Sequence, residues 1–337
     1  MAELLKKLSM LNGVSGNETA VREFILSEIK NDVDKISVDS MGNIIALKRG
    51  IDNSKALCVT ANMDEPGFII SEITDKGYLK FKMVGTVDAR KLVSKKVSIG
   101  DSKIKGVIGM KAIHLQTKNE RENVVAADKL FIDIGAKNKS DAQKRVKLGD
   151  YATFDTEFAE IGENVKGKAL DRSGACCALI QAIKETYPYD VYACFLTQHE
   201  VGARGAKILA HRLNADAALT VSAEDTTDMY GCENINSGAA LGKGVVVNYS
   251  DKSVILDKKL TGKMIDAAKK AGIKIQPKVL AFVSSDSGSM QSSGCVCLNV
   301  VIPCRYSHSP VSLMSKKDID AVAEYITLFL NKIGDMI

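Results

Sequence analysis

The stretch VYACFLTQHEVGARGAKILA, residues 191–210, contains the unit that decides the fold of this chain. Its first six residues form an uninterrupted apolar run of the length expected for a buried strand. A short polar loop follows, and the apolar spacing from 205 to 212 predicts a helix. A buried strand followed at once by a helix is the repeating unit of α/β sheets, so this stretch favours an α/β fold.

Three further apolar runs have the same character. They are ALCVTAN (56–62), AALTVS (217–222) and VCLNVVIP (296–303). Helical spacing of apolar residues is found between or after these runs, in the segments 174–186, 256–271 and 317–332. The run KISVDSMGNIIAL (35–47) predicts a hairpin. The alternation predicts an α/β domain whose mixed sheet is covered by helices.

The segment from 71 to 166 has a different pattern. Short alternating stretches such as YLKFKMVG and KKVSIGDSKIKGVIGM recur between glycine and Asp-Lys turns, with almost no helical periodicity. We therefore predict an all-β domain at 71–166, inserted into an α/β domain formed by 1–70 and 167–337.

Length and composition limit the class of protein. A chain of 337 residues with 45% hydrophobic residues is long enough for about two globular domains. The net charge of +5 comes from lysine pairs scattered among acidic residues, which excludes a nucleic-acid footprint. There is no long apolar segment of the kind that spans a membrane. The eight cysteines lie mostly in apolar runs without zinc-ribbon spacing, as is typical of reduced thiols in a cytoplasmic protein.

Polar residues follow the predicted strands where those strands end. In open α/β sheets, ligands bind beyond the carboxyl ends of the strands. The residues expected there are Asn62, Asp64, His199, Glu200, Ser222, Arg305 and His308, with Asp171 at the entry to the next helix. Carboxylates and histidines that converge from separate loops suit a divalent metal such as zinc.

Each of these residues also has a structural interpretation. Asp171 could be a helix N-cap, and His308 could be a hydrogen-bonded loop histidine. The sequence HEVGA lacks the second histidine of the zincin helix motif. Arg305 and Tyr306 could anchor a loop or contact the site. The metal hypothesis therefore depends on the joint position of these residues.

Seven short motifs resemble, in order, those of the glutamyl or tetrahedral aminopeptidases, which are co-catalytic metallopeptidases whose relatives are sometimes labelled endoglucanases. The motifs are GVSGNE, ANMDEPG, IDIGA, KALDRSG, TQHEVGARGA, SSDSGS and IPCRYSHSP. The resemblance implies a zinc-exopeptidase-like fold with a β-rich insert that joins subunits into homo-oligomers, often into large tetrahedral particles.

The resemblance also implies two metal positions. The second position would be held by Asp171 as the bridging ligand, Glu200 and His308, all of which are present. The first position would use the same aspartate, but Asn62 and Ser222 stand where the family has a histidine and an aspartate.

Two neighbouring positions complete the implied site. His199 stands in the position of the family's general base, which is a glutamate, and Asp64 stands in that of the residue that orients the first metal-binding histidine. The family also has a cis peptide bond after its bridging aspartate, at the position of Asp171 and Arg172.

Three functional hypotheses follow. The first is a member of the aminopeptidase family that acts on or binds peptide N-termini with weak or no peptidase activity, because the first metal site and the general base are substituted. The second is an active aminopeptidase with a rebuilt single-metal site that includes His199. The third is a glycoside hydrolase, ranked last because the chain has no tryptophan. We expect zinc or cobalt, at most one ion per chain or none.

Overall fold

The computed structural model describes residues 1–232, 238–279 and 284–337. Its strands are β1 Lys35–Val38, β2 Ile44–Lys48, β3 Asp52–Asn62, β4 Gly67–Ile73, β5 Leu79–Val84, β6 Lys96–Ile99, β7 Ile104–Gly109, β8 Phe131–Asp133, β9 Tyr151–Phe154, β10 Ala159–Ile161, β11 Asn164–Gly167, β12 Tyr189–Leu196, β13 Ala217–Asp225, β14 Val245–Asn248, β15 Ile275–Lys278, β16 Val296–Arg305 and β17 Ser312–Ser315. Its helices are α1 Ala2–Met10, α2 Thr19–Ile29, α3 Lys118–Glu122, α4 Lys139–Gln143, α5 Leu170–Ala182, α6 Arg204–Arg212, α7 Lys258–Lys270, α8 Ser287–Ser292 and α9 Lys316–Lys332.

A mixed sheet forms the larger part of the structure. Its main path runs β1-β2-β12-β3-β13-β16-β17-β11-β10, with β14 and β15 attached through β16. The four apolar runs of the sequence form β12, β3, β13 and β16, which pair in parallel. The hairpin predicted at 35–47 is present as the antiparallel pair β1 and β2. The predicted mixed sheet covered by helices is confirmed.

The two faces of this sheet bury different sets of side chains, because neighbouring residues of a strand point to opposite faces. Leu57, Val59 and Ala61 of β3 belong to the larger core, which includes residues of α1, α5 and α9. Cys58, one residue along, belongs to a smaller core that includes residues of α6 and α8. The parallel strands are therefore apolar on both faces, which explains their unbroken apolar runs.

A closed barrel of six strands has the order β4-β5-β8-β7-β6-β9. Its first strand begins at Gly67, four residues before the predicted insert, and the other five strands lie within 71–166. Its interior holds Phe68, whose ring packs edge-on against Phe81 and Phe154 at centroid distances of 4.9 Å and 5.3 Å. The predicted insert also includes the short helices α3 and α4. Strand β10 lies within 71–166 but pairs with β11 in the large sheet, and the domain boundaries at 70/71 and 166/167 remain a prediction.

Seven of the eight cysteines are buried and all eight are free thiols. None of the helices in the described part of the chain has the length and apolar character needed to cross a bilayer.

Candidate metal centre

The parallel strands deliver the predicted site residues to one edge of the sheet. Asn62 is the last residue of β3, and Ser222 lies near the end of β13. His199 and Glu200 follow β12, and His308 follows β16. Because these strands are adjacent and parallel, their carboxyl ends meet, as the sequence analysis expected. Asp171 reaches the same edge from the first turn of α5.

Asp171, Glu200 and His308 form a compact cluster. One ligand atom from each lies within 4.8 Å of the other two. His308 Nε2 is 3.4 Å from Glu200 Oε1 and 4.0 Å from Asp171 Oδ2. Two carboxylates and one imidazole at this separation match the donor types that zinc and similar divalent ions prefer.

Left-handed backbone conformations occur two residues before Asp171, two residues before Glu200 and at His308. Ala169 has φ +48°, Gln198 has φ +55°, and His308 itself has φ +49°. Such conformations are costly for residues other than glycine and persist where the surroundings enforce them. The barrel also contributes a wall, since a Cβ on Gly85 would lie 3.0 Å from the Cβ of Glu200. The cluster therefore lies where the barrel meets the sheet.

His199 turns away from this cluster to an aspartate that sequence reasoning did not single out. Its Nδ1 lies 2.9 Å from Asp286 Oδ1, and the Asp286 side chain is 3% exposed. Asp286 is the N-cap residue of α8, in the SSDSGS motif. That motif was the available signal, but nothing in its local pattern connects it to a histidine 87 residues earlier.

Asn62 and Ser222, at the positions where the resemblance implies ligands of the first metal, lie on the neighbouring strands β3 and β13. Asn62 Nδ2 donates to the backbone oxygen of Asp64 at 3.0 Å and approaches its Oδ1 at 3.5 Å. The Asp64 carboxylate accepts a shorter bond from Ser15 Oγ, at 2.6 Å. Ser222 is half-buried on the strand next to Asn62. Neither residue offers the anionic or imidazole donor of a strong metal site.

Arg305 and Tyr306 lie at the start of the loop that carries His308, where β16 ends. Arg305 forms an ion pair with Asp228, with Nη2 2.7 Å from Oδ2, and the backbone N–H of Ser307 donates to Asp225 Oδ1 at 2.7 Å. Tyr306 is 49% exposed. These contacts favour the loop-anchor interpretation for Arg305 and leave Tyr306 on the surface.

A buried charge cluster lies behind Asp171. Glu65 Oε1 accepts hydrogen bonds from Lys168 Nζ at 2.6 Å and from Arg172 Nη2 at 3.1 Å. The three side chains are 3%, 5% and 0% exposed, in that order. Burial lowers the pKa of Lys168 to about 8, against the opposing effect of Glu65. The Asp171 to Arg172 peptide bond is trans, unlike the cis bond that the resemblance implied.

The protonation of the two site histidines follows from their acidic neighbours. The hydrogen bond to Glu200 raises the pKa of His308 to about 9, in spite of partial burial. Burial alone would lower the pKa of His199, but Asp286, Asp64 and Glu200 together raise it to about 10. Burial raises the pKa of Asp171. Without a metal ion, both imidazoles are therefore cationic at neutral pH.

A cavity of about 900 Å³ opens beside His199, between α6 and α8. Its wall includes Lys207, His211 and several serines, among them Ser289. No carboxylate is among the residues of the described chain that line it. The cavity is large enough to hold one or two amino-acid residues of a peptide, but Asp171, Glu200 and His308 are not among the residues that line it.

Comparison with known protein families shows which family this chain belongs to. The model of the M42 glutamyl aminopeptidases matches residues 42–325. The chain belongs to this family. A putative aminopeptidase of Acetivibrio thermocellus is 37% identical over 324 residues, which is 95% of each chain. The TET aminopeptidase of a marine sediment archaeon of the Thaumarchaeota superposes with a TM-score of 0.94 at 29% identity, covering 98% of this chain and 96% of the other.

A third relative is informative about assembly. The TET1 peptidase of Pyrococcus horikoshii, which can assemble into a tetrahedron or a large octahedral shell, has a TM-score of 0.87 and 33% identity. The match covers 98% of this chain and 99% of that one. The M42 membership confirms the resemblance drawn from the sequence motifs.

Proposed function

We propose that this M42 protein acts on or binds peptide N-termini at a single-metal site and has weak or no peptidase activity. The observation that carries the proposal is the contrast between two halves of one site. Asp171, Glu200 and His308 lie within 4.8 Å of one another, whereas Asn62 and Ser222 take the place of the other half's ligands.

A divalent ion fits the complete half. The donor set is two carboxylates and one imidazole, and Glu200 is 6% exposed, so its charge is poorly compensated by water. Asp171, Glu200 and His308 would hold the ion. When bound, such an ion polarises a carbonyl oxygen and lowers the pKa of bound water.

The substituted half argues against the usual two-metal hydrolysis. An amide at 62 and a hydroxyl at 222 remove two strong donors and one negative charge. Loss of a supporting residue around a metal typically costs about 10- to 100-fold in affinity, and loss of a direct ligand should cost at least that much. His199 Nδ1 is paired with the Asp286 carboxylate, and in the metal-free protein the imidazole is cationic, so it does not replace a glutamate that accepts protons. Loss of a general base typically costs about 10²- to 10⁴-fold in rate.

Metal content and turnover, measured on the same preparation, test the proposal. Purified protein is loaded with excess zinc or cobalt, desalted and analysed for metal per chain, and then assayed on a panel of aminoacyl substrates. We expect about one ion per chain and slow or undetectable release of amino acids. His308→Ala should abolish uptake, whereas His114→Ala, at an exposed barrel position, should not. Two ions per chain with rapid metal-dependent turnover would overturn the proposal.

One ion per chain with substantial turnover would instead support the active single-metal alternative. Binding of non-hydrolysed peptides is measured separately by calorimetry. A peptide with a free N-terminus should bind more tightly than its N-acetylated form, because the family's substrates are recognised at the N-terminus.

We further propose that the protein forms a homo-oligomer through the inserted barrel. Supporting this, Ile113, Leu115 and Val124 of the barrel segment are 65%, 62% and 63% exposed. Light scattering should show a multimer that Ile113→Lys together with Leu115→Lys dissociates. Ile51→Lys, at a position that is 95% exposed on the α/β domain, is the matched control and should leave the mass unchanged.

A further inference from the structure

Four successive backbone N–H groups, those of residues 197–200, donate to side chains rather than to the backbone. Their acceptors come from three separate segments of the chain. The bonds are Thr197 N to Asn43 Oδ1 at 2.9 Å, Gln198 N to Glu18 Oε1 at 3.0 Å, His199 N to Asp64 Oδ1 at 3.0 Å, and Glu200 N to Asp64 Oδ2 at 3.0 Å. We call these four bonds the amide clamp.

The loop needs such acceptors because it leaves the sheet abruptly. Strand β12 ends at Leu196, and Gln198 adopts the left-handed conformation with φ +55°. The amides beyond the strand end therefore lack ladder partners, although they lie in a largely buried place. A buried N–H without a hydrogen-bond partner is destabilising, so the acceptors determine the path of the loop.

The three acceptor side chains are buried, and Glu18 and Asn43 form further hydrogen bonds that hold them in place. Glu18, Asn43 and Asp64 are 3%, 0% and 0% exposed. Glu18 Oε1 also accepts the backbone N–H of Gly16 at 2.8 Å. The Asn43 amide donates to the backbone oxygen of Gly205 at 3.1 Å, beyond the loop. The amide clamp thus connects the loop at 197–200 to the N-terminal segment and to the first hairpin, and Asn43 also connects that hairpin to the start of α6.

We propose that Glu18 and Asn43 are positioning residues. They hold the backbone of Gln198 and Thr197 and thereby fix the two residues that follow, so that the Glu200 carboxylate meets Asp171 and His308. Neither residue has a donor atom in the cluster, and each acts through the backbone of the loop. Glu200 Oε1 lies 3.4 Å from His308 Nε2, so a shift of the loop by about 1 Å would separate the donors. This inference rests on the proposed metal site for its functional consequence.

Metal affinity is the first readout. Zinc and cobalt alone are titrated calorimetrically into wild-type protein, Glu18→Ala and Glu18→Gln. The glutamine retains an oxygen that can accept from Gln198, whereas alanine removes it. We expect Glu18→Ala to bind about 10- to 100-fold more weakly, with an altered visible spectrum of the cobalt form, and Glu18→Gln to recover most of the affinity.

The matched control is Asp257→Ala. Asp257 caps α7 through a bond to the Leu260 N–H at 2.6 Å, so its loss removes a similar bond at a site away from the cluster. It should lower thermal stability without changing metal affinity or the cobalt spectrum. Folded Glu18→Ala with wild-type affinity and spectrum would overturn the proposal.

Amide hydrogen exchange on the metal-free protein separates this inference from the proposed function. In Glu18→Ala, exchange should accelerate more than tenfold at Gln198, His199 and Glu200, but not in Asp257→Ala. Acceleration confined to Gln198 would refute the positioning role, whatever metal the protein binds. If the wild-type protein takes up no metal, the proposed function fails, and the exchange pattern still decides the clamp.

Discussion

Replacement of Glu65 by glutamine should destabilise the protein strongly, because this one carboxylate balances two buried cations. Glu65 Oε1 accepts hydrogen bonds from Lys168, from Arg172 and from the backbone N–H of Gly13, the last at 3.0 Å. Glutamine keeps the shape and one acceptor oxygen but removes the charge. Two cations would then be buried without their counterion.

The expected size follows from burial. Removal of one partner of a buried ion pair typically costs about 3 to 5 kcal/mol. With about 2.1 cal/mol/K of unfolding entropy per residue, a loss of about 4 kcal/mol lowers the melting temperature by about 6 °C. Glu163→Gln is the matched control, since Glu163 pairs with Lys317 but is 72% exposed. Its loss should leave the melting temperature nearly unchanged, because water screens an exposed ion pair.

Urea unfolding measures both variants, and its pH dependence supplies a second check. The pKa of Lys168 in the folded protein is about 8, below the ordinary value of 10.5. Its deprotonation therefore favours the folded state, and stability gained from this group rises as the pH goes from 8 towards 10.5. Without Glu65 the pKa should fall further, so the penalty of Glu65→Gln should be larger at pH 6 than at pH 9. Equal small losses in Glu65→Gln and Glu163→Gln would refute the charge argument.

Three further predictions concern the metal centre. Glu200→Gln should lower zinc affinity at least tenfold, as measured by calorimetry, because it removes an anionic donor; unchanged affinity would place the ion elsewhere. The triple variant Asn62→His, Ser222→Asp and His199→Glu should raise the zinc content towards two ions per chain. It should also raise the rate of hydrolysis of aminoacyl substrates by at least about 10²-fold. Unchanged zinc content would show that these three changes do not restore the first metal position. Because the pKa of His308 is about 9 and only neutral imidazole binds metal, zinc affinity should rise about tenfold per pH unit between pH 6 and 8 and level off above pH 9; a flat profile would exclude His308 as a ligand.

The sheet was predictable from the sequence because parallel strands buried on both faces leave an uninterrupted apolar signal. Residues 56–62 and 191–196 could be assigned by that signal alone. The same signal placed His199 and Glu200 at a strand end, and hence at the ligand-binding edge of the sheet. The barrel was predictable as a β-rich segment from its alternation, but closure depends on pairing between strands far apart in sequence, such as β4 with β9.

The contacts that position the site residues could not be predicted from local sequence patterns. The ion pair of His199 with Asp286 joins residues 87 apart, and the bond of Gln198 to Glu18 joins residues 180 apart. Each partner looks ordinary in its own segment, as a helix cap or a turn residue. Such contacts depend on the finished fold, so periodicity and spacing could not reveal them.

The substitutions at positions 62, 199 and 222 form an electrostatically consistent set. By the pattern that the resemblance implies, Ser222 and His199 each stand in place of a carboxylate, so the half of the proposed site that would hold the first ion has two fewer negative charges. A divalent ion brings two positive charges, and its absence would otherwise leave those carboxylates repelling Asp171 and Glu200. The imidazolium of His199 instead pairs with Asp286. Under the proposed single-metal site, loss of the first ion and loss of the two carboxylates would compensate each other, so the cluster of Asp171, Glu200 and His308 would persist without the first metal.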